Sequence, residues 1–275
     1  MSMFVLVVLY KTNMRDSGTL KTLARQACDG SDISLLIWDN SPISMWDDVS
    51  VAELKSRFAQ VDYRHTPENT PLSKLYNTAI RESSENLIVL LDQDSDLSDT
   101  YLKTAQETAS AEPSIYLFAP KVYANGEVMS PGCFNSYKGS QPATLTSGRQ
   151  PTAGRTVVTS GLVIRRSLFD THTIRFNENL WLYAIDTDFF LKFRDLEPAF
   201  VILEESIAHE SALREDLPLD QRLFRFRNRR WSYLRMHSDR NQMNVMPKIY
   251  MLYLSLLHSW KFRSIKFLKG WRSSD

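Results

Sequence analysis

The chain has 275 residues, of which 43% are hydrophobic and 24% charged, and its formal net charge is +1. These are ordinary globular values, and they exclude a disordered, collagen-like or charge-driven chain. Two cysteines, Cys28 and Cys133, are too few to cross-link a chain of this size and match no zinc-binding spacing, so we expect two reduced and unrelated thiols.

The first third of the chain alternates apolar runs with segments compatible with helices. Residues 3–10 are too short to cross a bilayer and lack the features of a signal peptide, so we expect a buried first strand and a cytoplasmic protein. Strand and helix alternate in a rhythm that predicts a parallel α/β sheet. Strands are predicted at residues 4–10, 33–38, 61–65 and 86–91, and helices at residues 17–28 and 72–81.

The middle of the chain changes character. Residues 123–155 are poor in large aliphatic side chains and rich in Gly, Ser, Pro and Thr, which predicts an ordered loop or a mobile flap. After it we expect a strand at 156–160, a helix at 186–194 and an apolar strand at 199–203.

The last 55 residues are basic and aromatic. From Gln221 onward there are thirteen Lys and Arg against two acidic residues, although the whole chain is almost neutral. A helix projected over 222–236 places Arg227 and Arg230 inside an apolar stripe, where an arginine either meets an anion or bends out to water. Residues 249–260 carry no charged side chain, and five cations follow. This pattern favours an anionic membrane surface or a diphosphate over nucleic acid, while docking on the body of the protein or on a second subunit stays open.

Acidic residues follow two of the predicted strands. Asp92 and Asp94 come directly after the run at 86–91, and Asp39 follows the run at 33–38. Ligands of open parallel sheets bind beyond the carboxyl ends of the strands, and two carboxylates there can hold Mg²⁺ or Mn²⁺. A solvated acidic turn is the alternative for the pair, and an Asx turn is the alternative for Asp39.

A third group of candidates lies in the second half of the chain. Asp186 is placed either to cap a helix or to act as a general base, and Asp188 competes with it for the second role. His209 follows the strand at 199–203 and is either a structural histidine or a third metal ligand.

The order of these segments resembles that of family-2 glycosyltransferases of the GT-A type, and more narrowly their bacterial rhamnosyltransferase-like branch. The segment LIWDNS at 36–41 looks like the strand end that binds the nucleotide base, and LDQDS at 91–95 is similar to the metal-binding DxD segment. Residues 159–161 and 186–189 resemble the acceptor side and the catalytic acid, and 225–229 resembles an arginine-asparagine signature. The resemblance covers roughly residues 4–237.

The resemblance implies a GT-A (Rossmann-like) catalytic domain at 1–215, a mostly parallel sheet flanked by helices, followed by a helical extension at 216–275. Within the domain, a nucleotide-sugar half ends near residue 96 and an acceptor half spans 97–215. Asp186 is the implied catalytic base, and Asp92, Asp94 and His209 are the implied metal ligands. The implied substrate-binding residues are Tyr10, Asp39, Asn69, Lys74, Asp92, Gln93, Ser160, Gly161, Trp181, Asp188, Arg227 and Arg230.

The resemblance also implies the reaction, an inverting transfer of rhamnose or a related hexose from a nucleoside-diphosphate sugar to a glycan hydroxyl. The expected setting is bacterial surface polysaccharide synthesis, with an acceptor carried on a polyprenyl lipid and an enzyme attached to the inner face of the cell membrane. The expected cofactor is Mg²⁺ or Mn²⁺; no nucleic acid is expected, and the oligomeric state, homo-oligomer included, stays open. A catalytically inactive nucleotide-sugar-binding scaffold and a sugar nucleotidyltransferase are the alternatives.

Overall fold

A computed structural model of the chain describes residues 1–124, 126–142, 144–209, 217–240 and 245–269. The strands run in chain order as β1 Met3–Leu9, β2 Ile33–Asp39, β3 Gln60–His65, β4 Leu87–Asp92, β5 Ser95–Leu97, β6 Leu117–Ala124, β7 Glu127–Ser130, β8 Gly132–Asn135, β9 Lys138–Ser140, β10 Gly148–Pro151, β11 Arg155–Thr156, β12 Leu162–Arg165 and β13 Ala199–His209. The α-helices are α1 Gly18–Ala24, α2 Asp48–Lys55, α3 Leu72–Glu82, α4 Tyr101–Ala111, α5 Ser167–Thr171, α6 Ile185–Leu196, α7 Leu219–Asp239 and α8 Val245–Lys261.

A curled, mostly parallel sheet flanked by helices forms the centre of the molecule. Its strand order is β10-β13-β6-β12-β4-β1-β2-β3, with β5 paired to β13 and β7 paired to β6. The pairs β1–β2, β1–β4, β2–β3 and β13–β6 are parallel, whereas β12 runs antiparallel to both β4 and β6. This architecture confirms the predicted GT-A fold class.

The core lies on both faces of the sheet. In β1, Phe4 and Leu6 belong to one buried cluster, while Met3, Val5 and Val7 belong to the other. Successive side chains of a strand point to opposite faces, so a strand that is covered on both sides needs an unbroken apolar run. This is why the continuous runs in the sequence predicted the central strands within a residue or so of their observed ends.

The register of the parallel strands brings the predicted acidic residues to one edge. Leu9 of β1 pairs with Asp39 of β2, and Val8 pairs with Asp92 of β4. Neighbouring strands lie about 4.8 Å apart, so the backbones of Asp39 and Asp92 are separated by roughly 10 Å, the width of two strand spacings.

The region after β6 differs from the prediction. Residues 127–140 form β7, β8 and β9 rather than one loop, and β10 adds an antiparallel edge strand to β13. The predicted strand at 156–160 is also misplaced, because the chain turns at Gly161 with a φ of +76° and β12 begins after it.

The two C-terminal helices pack onto the body of the molecule. Tyr233 and Met236 of α7 and Met251 of α8 are buried in the same cluster as one face of the central sheet. The predicted domain boundary at 215/216 lies outside the described residues, and the division near 96 falls within β5. Among the helices described, none has both the length and the apolar character needed to cross a membrane.

Candidate active site

Asp92 ends β4 at the carboxyl edge of the sheet, Asp94 lies in the loop that leads to β5, and both are partly exposed. The start of α1 holds this loop in place. The Thr19 hydroxyl donates to the backbone oxygen of Asp92 and accepts from the Ser95 N–H at 2.8 Å. The Ser17 hydroxyl donates to the Gln93 carbonyl at 2.7 Å. The loop conformation is therefore fixed by the fold before any ligand arrives.

Gln93 and Tyr10 join the ends of β4 and β1. The Gln93 side-chain oxygen accepts a hydrogen bond from the Tyr10 N–H at 2.7 Å, and the Tyr10 ring itself is 41% exposed. Gln93 thus has a structural role here, whereas the Tyr10 ring is available to contact a ligand.

Ser160 and Gly161 form the floor beside this loop. The Ser160 hydroxyl lies 2.7 Å from the Ser95 hydroxyl, and the Gly161 N–H donates to the Leu90 carbonyl at 2.8 Å. A Cβ atom at Gly161 would lie 2.2 Å from Ile207 Cδ1, so a larger residue does not fit this turn. The glycine has a packing reason independent of any substrate contact.

Asp186 lies in the first turn of α6, beside the same edge. Ala184, which precedes the helix, has a φ of +63°, and this turn leads the chain into α6. The Asp186 Oδ1 accepts the Thr187 N–H at 2.7 Å. Burial raises the pKa of Asp186, and the negative charge of Asp92 raises it further. The two carboxylates therefore share one electrostatic environment.

Tyr76 of α3 belongs to the same environment. It is almost completely buried. Burial raises the Tyr76 pKa well above its ordinary value, and the charges of Asp92 and Asp186 both add to this rise, against a hydrogen bond with Thr159. Tyr76 was not among the predicted site residues, because its position depends on how α3 packs under the sheet edge.

The carboxylates suit a hard dication that completes its coordination with other ligands. Within the ranges that the structure covers, no cluster of three or more His, Cys, Asp and Glu side chains is found. Mg²⁺ commonly takes one or two carboxylates and keeps positions for water and substrate phosphates, and the partly exposed Asp92 and Asp94 fit that requirement. His209, predicted as a third ligand, has its backbone paired with Ser95, but its side chain lies outside the described part of the molecule.

Asp39 is fully buried at the end of β2. Its two oxygens accept the Ser41 N–H at 3.0 Å and the Met45 N–H at 2.7 Å, and the Tyr63 hydroxyl donates to it as well. The first of these is the bond of an Asx turn, the alternative left open by the sequence. Burial together with the bond to Asp39 raises the pKa of Tyr63 to about 12. A ligand reaches Asp39 only if residues 41–46 move.

The loop before α3 carries Asn69 and leads to Lys74. Asn40, at the end of β2, donates to the Asn69 side chain at 3.0 Å and to the Thr70 carbonyl at 2.8 Å, and it accepts the Thr70 N–H at 2.8 Å. Asn69 has a φ of +53°, a conformation that asparagine tolerates better than most residues. Lys74 is exposed on the first turn of α3. The network positions this loop next to the β2 end.

Two predicted residues close to Asp186 differ sharply in exposure. Trp181 is 56% exposed, and its carbonyl accepts the Leu72 N–H at the start of α3 at 2.9 Å. Asp188 has no exposed surface, and Lys192 one turn later lies 2.7 Å from its Oδ2. Asp188 is therefore a buried ion-pair partner within α6, and it does not face the site as the sequence suggested.

The predicted arginines of α7 occupy other places than expected. Arg230 is buried, as the helical stripe indicated, but its guanidinium donates to the carbonyls of Phe267 at 3.2 Å and Lys269 at 3.1 Å. Backbone oxygens of the C-terminal segment, rather than a diphosphate, are the partners of this buried cation. Arg227, one turn earlier on α7, is exposed.

Other arginines of the same helix lie closer to the candidate site. Burial raises the pKa of Tyr183, which is three residues before Asp186, and the positive charges of Arg225 and Arg229 oppose this rise. Burial also lowers the pKa of Arg229 itself, against the influence of Tyr183 and Tyr250. The helical projection placed Arg230 on the buried side correctly, whereas Arg227 is exposed and the charges that act on Tyr183 are those of Arg225 and Arg229.

Two cavities lie away from these residues. One of about 440 Å³ is formed by α3, α5 and the chain before α6, and one of about 700 Å³ is formed by the N-terminus, the end of α1 and α4. Neither is lined by a predicted site residue. The candidate site is instead the open edge at which β1, β2 and β4 end and α6 begins.

Comparison with known proteins identifies the family of the chain. The model of the family described as glycosyl transferase family 2 matches residues 17–173, which is more than half of the chain. No curated protein sequence matches the chain.

Solved structures of S. aureus TarS share the fold. TarS 1-349 superposes with a TM-score of 0.58 at 16% identity over 98% of this chain and 80% of that chain. TarS 1-349 in complex with UDP-GlcNAc superposes with a TM-score of 0.57 at 16% identity, over 85% of this chain and 67% of that chain. A longer TarS chain superposes with a TM-score of 0.57 at 17% identity over 86% of this chain. The match spans only 44% of that TarS chain. The fold and the family match lead to one conclusion: the chain belongs to glycosyl transferase family 2.

Proposed function

We propose that the chain transfers a sugar from a nucleoside-diphosphate sugar to a hydroxyl of a glycan acceptor, with inversion at the anomeric carbon. The observation that carries the proposal is that Asp92, at the end of β4, and Asp186, in the first turn of α6, are near enough for the charge of one to act on the other. Membership of glycosyl transferase family 2 supports this, and so does a shared fold with TarS, which was crystallised with UDP and with UDP-GlcNAc.

In this mechanism Asp186 takes the proton of the acceptor hydroxyl. A raised pKa suits a general base, because proton transfer is most effective when the pKa of the base approaches the working pH. The Thr187 N–H holds the carboxylate in one orientation through a 2.7 Å bond to Oδ1. Direct attack by the hydroxyl inverts the anomeric carbon and requires no enzyme nucleophile, unlike a retaining glycosidase.

Asp92 and Asp94 would hold Mg²⁺ or Mn²⁺, which stabilises negative charge on a departing diphosphate when it is bound. Arg225 and Arg229 take over the supporting role that the sequence gave to Arg227 and Arg230, because their charges act on Tyr183 near Asp186. The exposed Tyr10 ring and Lys74 are the remaining candidates for donor contacts.

The finer assignments follow the resemblance to the rhamnosyltransferase-like branch. We propose rhamnose or a related hexose as the transferred sugar and a polyprenyl-linked glycan as the acceptor, within the synthesis of a bacterial surface polysaccharide at the inner face of the cell membrane. The exposed Trp181 beside Asp186 supports a sugar acceptor, because a flat aromatic side chain offers a stacking surface to a sugar ring.

A donor screen tests the proposed reaction. The full chain is incubated with a panel of nucleoside-diphosphate sugars, with Mn²⁺, with Mg²⁺ and with EDTA, and the released nucleotide is identified. We expect nucleoside diphosphate to be released from at least one donor, at a rate that EDTA lowers at least tenfold. Release of pyrophosphate would instead support the nucleotidyltransferase, and binding of a donor without any turnover would support the inactive scaffold.

A further inference from the structure

Helix α8 carries a wide apolar stripe that the described part of the molecule leaves uncovered. At 100° per residue, the exposed apolar side chains of the helix fall within an arc of about 140° that contains no charged residue. Trp260 is 81% exposed and Val245 68%. The other exposed apolar members of this stripe are Met246, Ile249, Leu252, Tyr253, Leu256 and Leu257.

The opposite side of α8 fixes the helix on the body. Met251 is 4% exposed and belongs to the main core, and Ser255 is fully buried. The Tyr250 ring lies 6.1 Å from that of Tyr233 on α7, and the His258 ring lies 4.6 Å from that of Phe226. The stripe therefore belongs to a helix that is already packed, and it is not an inner face waiting to fold onto this chain.

The charged residues of α8 and of the described segment after it all have one sign. Residues 245–269 contain no Asp or Glu. Their cations are exposed and lie at both ends of the helix and in the segment after it, namely Lys248, Lys261, Arg263, Lys266 and Lys269. Ile265 in that segment is a further exposed apolar residue, at 69%. An apolar stripe about 25 Å long, bordered by cations and ending in a tryptophan, has the composition of a helix that lies in an anionic lipid interface.

We propose that the stripe of α8, with Ile265 and the surrounding cations, is a docking surface for the headgroup region of an anionic bilayer. A second copy of the chain suits it less well, because two such surfaces would bring their cations together without any acid to pair with them. Each exposed cation near an anionic membrane surface adds to the attraction, and the apolar side chains enter the boundary of the acyl chains.

The stripe of α8 belongs to a helix that lies near the candidate active site. Arg229 of α7 acts electrostatically on Tyr183, three residues before Asp186, and on Tyr250 of α8. Both tyrosines thus lie near one arginine. On the proposed function, on which this step rests, docking through α8 brings the acceptor side of the site close to a membrane-embedded, lipid-linked glycan.

Vesicle co-sedimentation of the full chain tests the docking surface. The probes are vesicles of phosphatidylcholine alone and vesicles of phosphatidylcholine mixed with phosphatidylglycerol, whose anionic headgroups give the surface a negative potential. We expect binding to the anionic vesicles that weakens with salt, and an at least tenfold loss of binding in the double variant Leu256→Glu, Trp260→Glu. Val49→Glu is the matched control, because Val49 is 73% exposed on α2, and it should bind as the unchanged chain does.

Two outcomes would overturn the proposal. One is equal vesicle binding by the double variant and the unchanged chain, or no binding by either. The other is a dimer in sedimentation equilibrium that the double substitution dissociates, which would identify a second copy as the occupant. Nucleotide binding measured on the same samples separates this result from the proposed function: a chain that binds vesicles but no nucleotide sugar would retain the surface and lose the reaction.

Discussion

Asp186 combines a half-buried carboxylate with a neighbouring negative charge, and both effects raise its pKa. At the scale of single residues this is the clearest mark of function in the molecule, because a fold that needed Asp186 only for stability would gain by placing a neutral side chain there. Asp188, two residues later, is also buried but has a different partner. Burial raises its pKa also, but Lys192 supplies a cation 2.7 Å away. The charge of Asp188 is thus neutralised by a cation of its own helix, whereas Asp186 lies near a second acid.

The raised pKa of Asp186 predicts how stability depends on pH. The folded state favours the protonated acid, so the stability contribution of Asp186 is fully present below its unfolded pKa and is lost as pH rises through the higher folded pKa. Asp186→Asn should therefore unfold at about the same temperature as the unchanged chain near pH 4 and at a higher temperature near pH 7. Thermal unfolding followed by circular dichroism at both pH values measures this.

Asp47 provides a control of opposite sign. Hydrogen bonds with Arg15 and Ser50 lower the Asp47 pKa to about 2. The contribution of Asp47 to folding stability is therefore present above the ordinary aspartate pKa and is lost as the pH falls from that value to about 2. Asp47→Asn should therefore be the less stable protein at pH 7. If Asp186→Asn and Asp47→Asn responded to pH in the same direction, the environment assigned to Asp186 would be wrong.

Secondary-structure elements show which sequence signals were sufficient. The apolar runs predicted β1, β2 and β4 because each of these strands is covered on two faces, whereas β3 is a partly exposed edge strand with a weaker pattern. The strands within 127–151 were not predicted, since β10 finds its partner in β13, about fifty residues later, and no local pattern contains that pairing. Helix α4 was not predicted, because its small and polar residues show no strong helical periodicity of apolar side chains. Tyr101, Leu102 and Ala105 are nevertheless buried.

Helix α7 illustrates the limit of a helical projection. The projection correctly placed Arg230 on a buried stripe, but the identity of its partners depends on where the chain returns after α8. Because the guanidinium bonds to the carbonyls of Phe267 and Lys269, we infer that Arg230 fastens the C-terminal segment to α7.

Replacing Arg230 should release that segment. Hydrogen bonds to charged groups contribute about 1.5–3 kcal/mol each, so Arg230→Ala should speed chymotrypsin cleavage after Phe262 or Phe267 by roughly tenfold or more. Arg227→Ala is the matched control, because Arg227 is exposed on the same helix and its loss should leave the cleavage rate unchanged. Equal cleavage of both variants would show that other contacts hold the segment.

At the scale of the whole molecule, the fold positions the site by strand register. Asp39 and Asp92 lie at one edge because β1, β2 and β4 are parallel neighbours, and the antiparallel β12 carries Gly161 to the same edge. The order of motifs in the sequence predicted this assembly. The roles of Thr19 and Tyr76 could not be predicted in the same way, since each acts through a contact between elements that are distant along the chain.

The sequence also predicted that the C-terminal region is helical, basic and aromatic, but it did not predict how the region packs. Its charge and aromatic content suggested an anionic surface, but only the packing of α8 shows which of its apolar residues are buried and which stay exposed. Both sides of the helix carry apolar residues, and burial distinguishes the exposed stripe from the anchored side.

The central claim is that Asp94 at the strand end and Asp186 across the site have separate tasks in one reaction. Transfer and nucleotide binding are measured together on Asp186→Asn, Asp94→Ala and the control Asp96→Asn, an exposed acid of the neighbouring strand. We predict that Asp186→Asn loses transfer at least a hundredfold (typical of a removed general base) with unchanged nucleotide affinity, whereas Asp94→Ala loses cation-dependent nucleotide affinity and Asp96→Asn loses neither. Full turnover by Asp186→Asn, or cation-dependent nucleotide binding that survives in Asp94→Ala, would contradict the account.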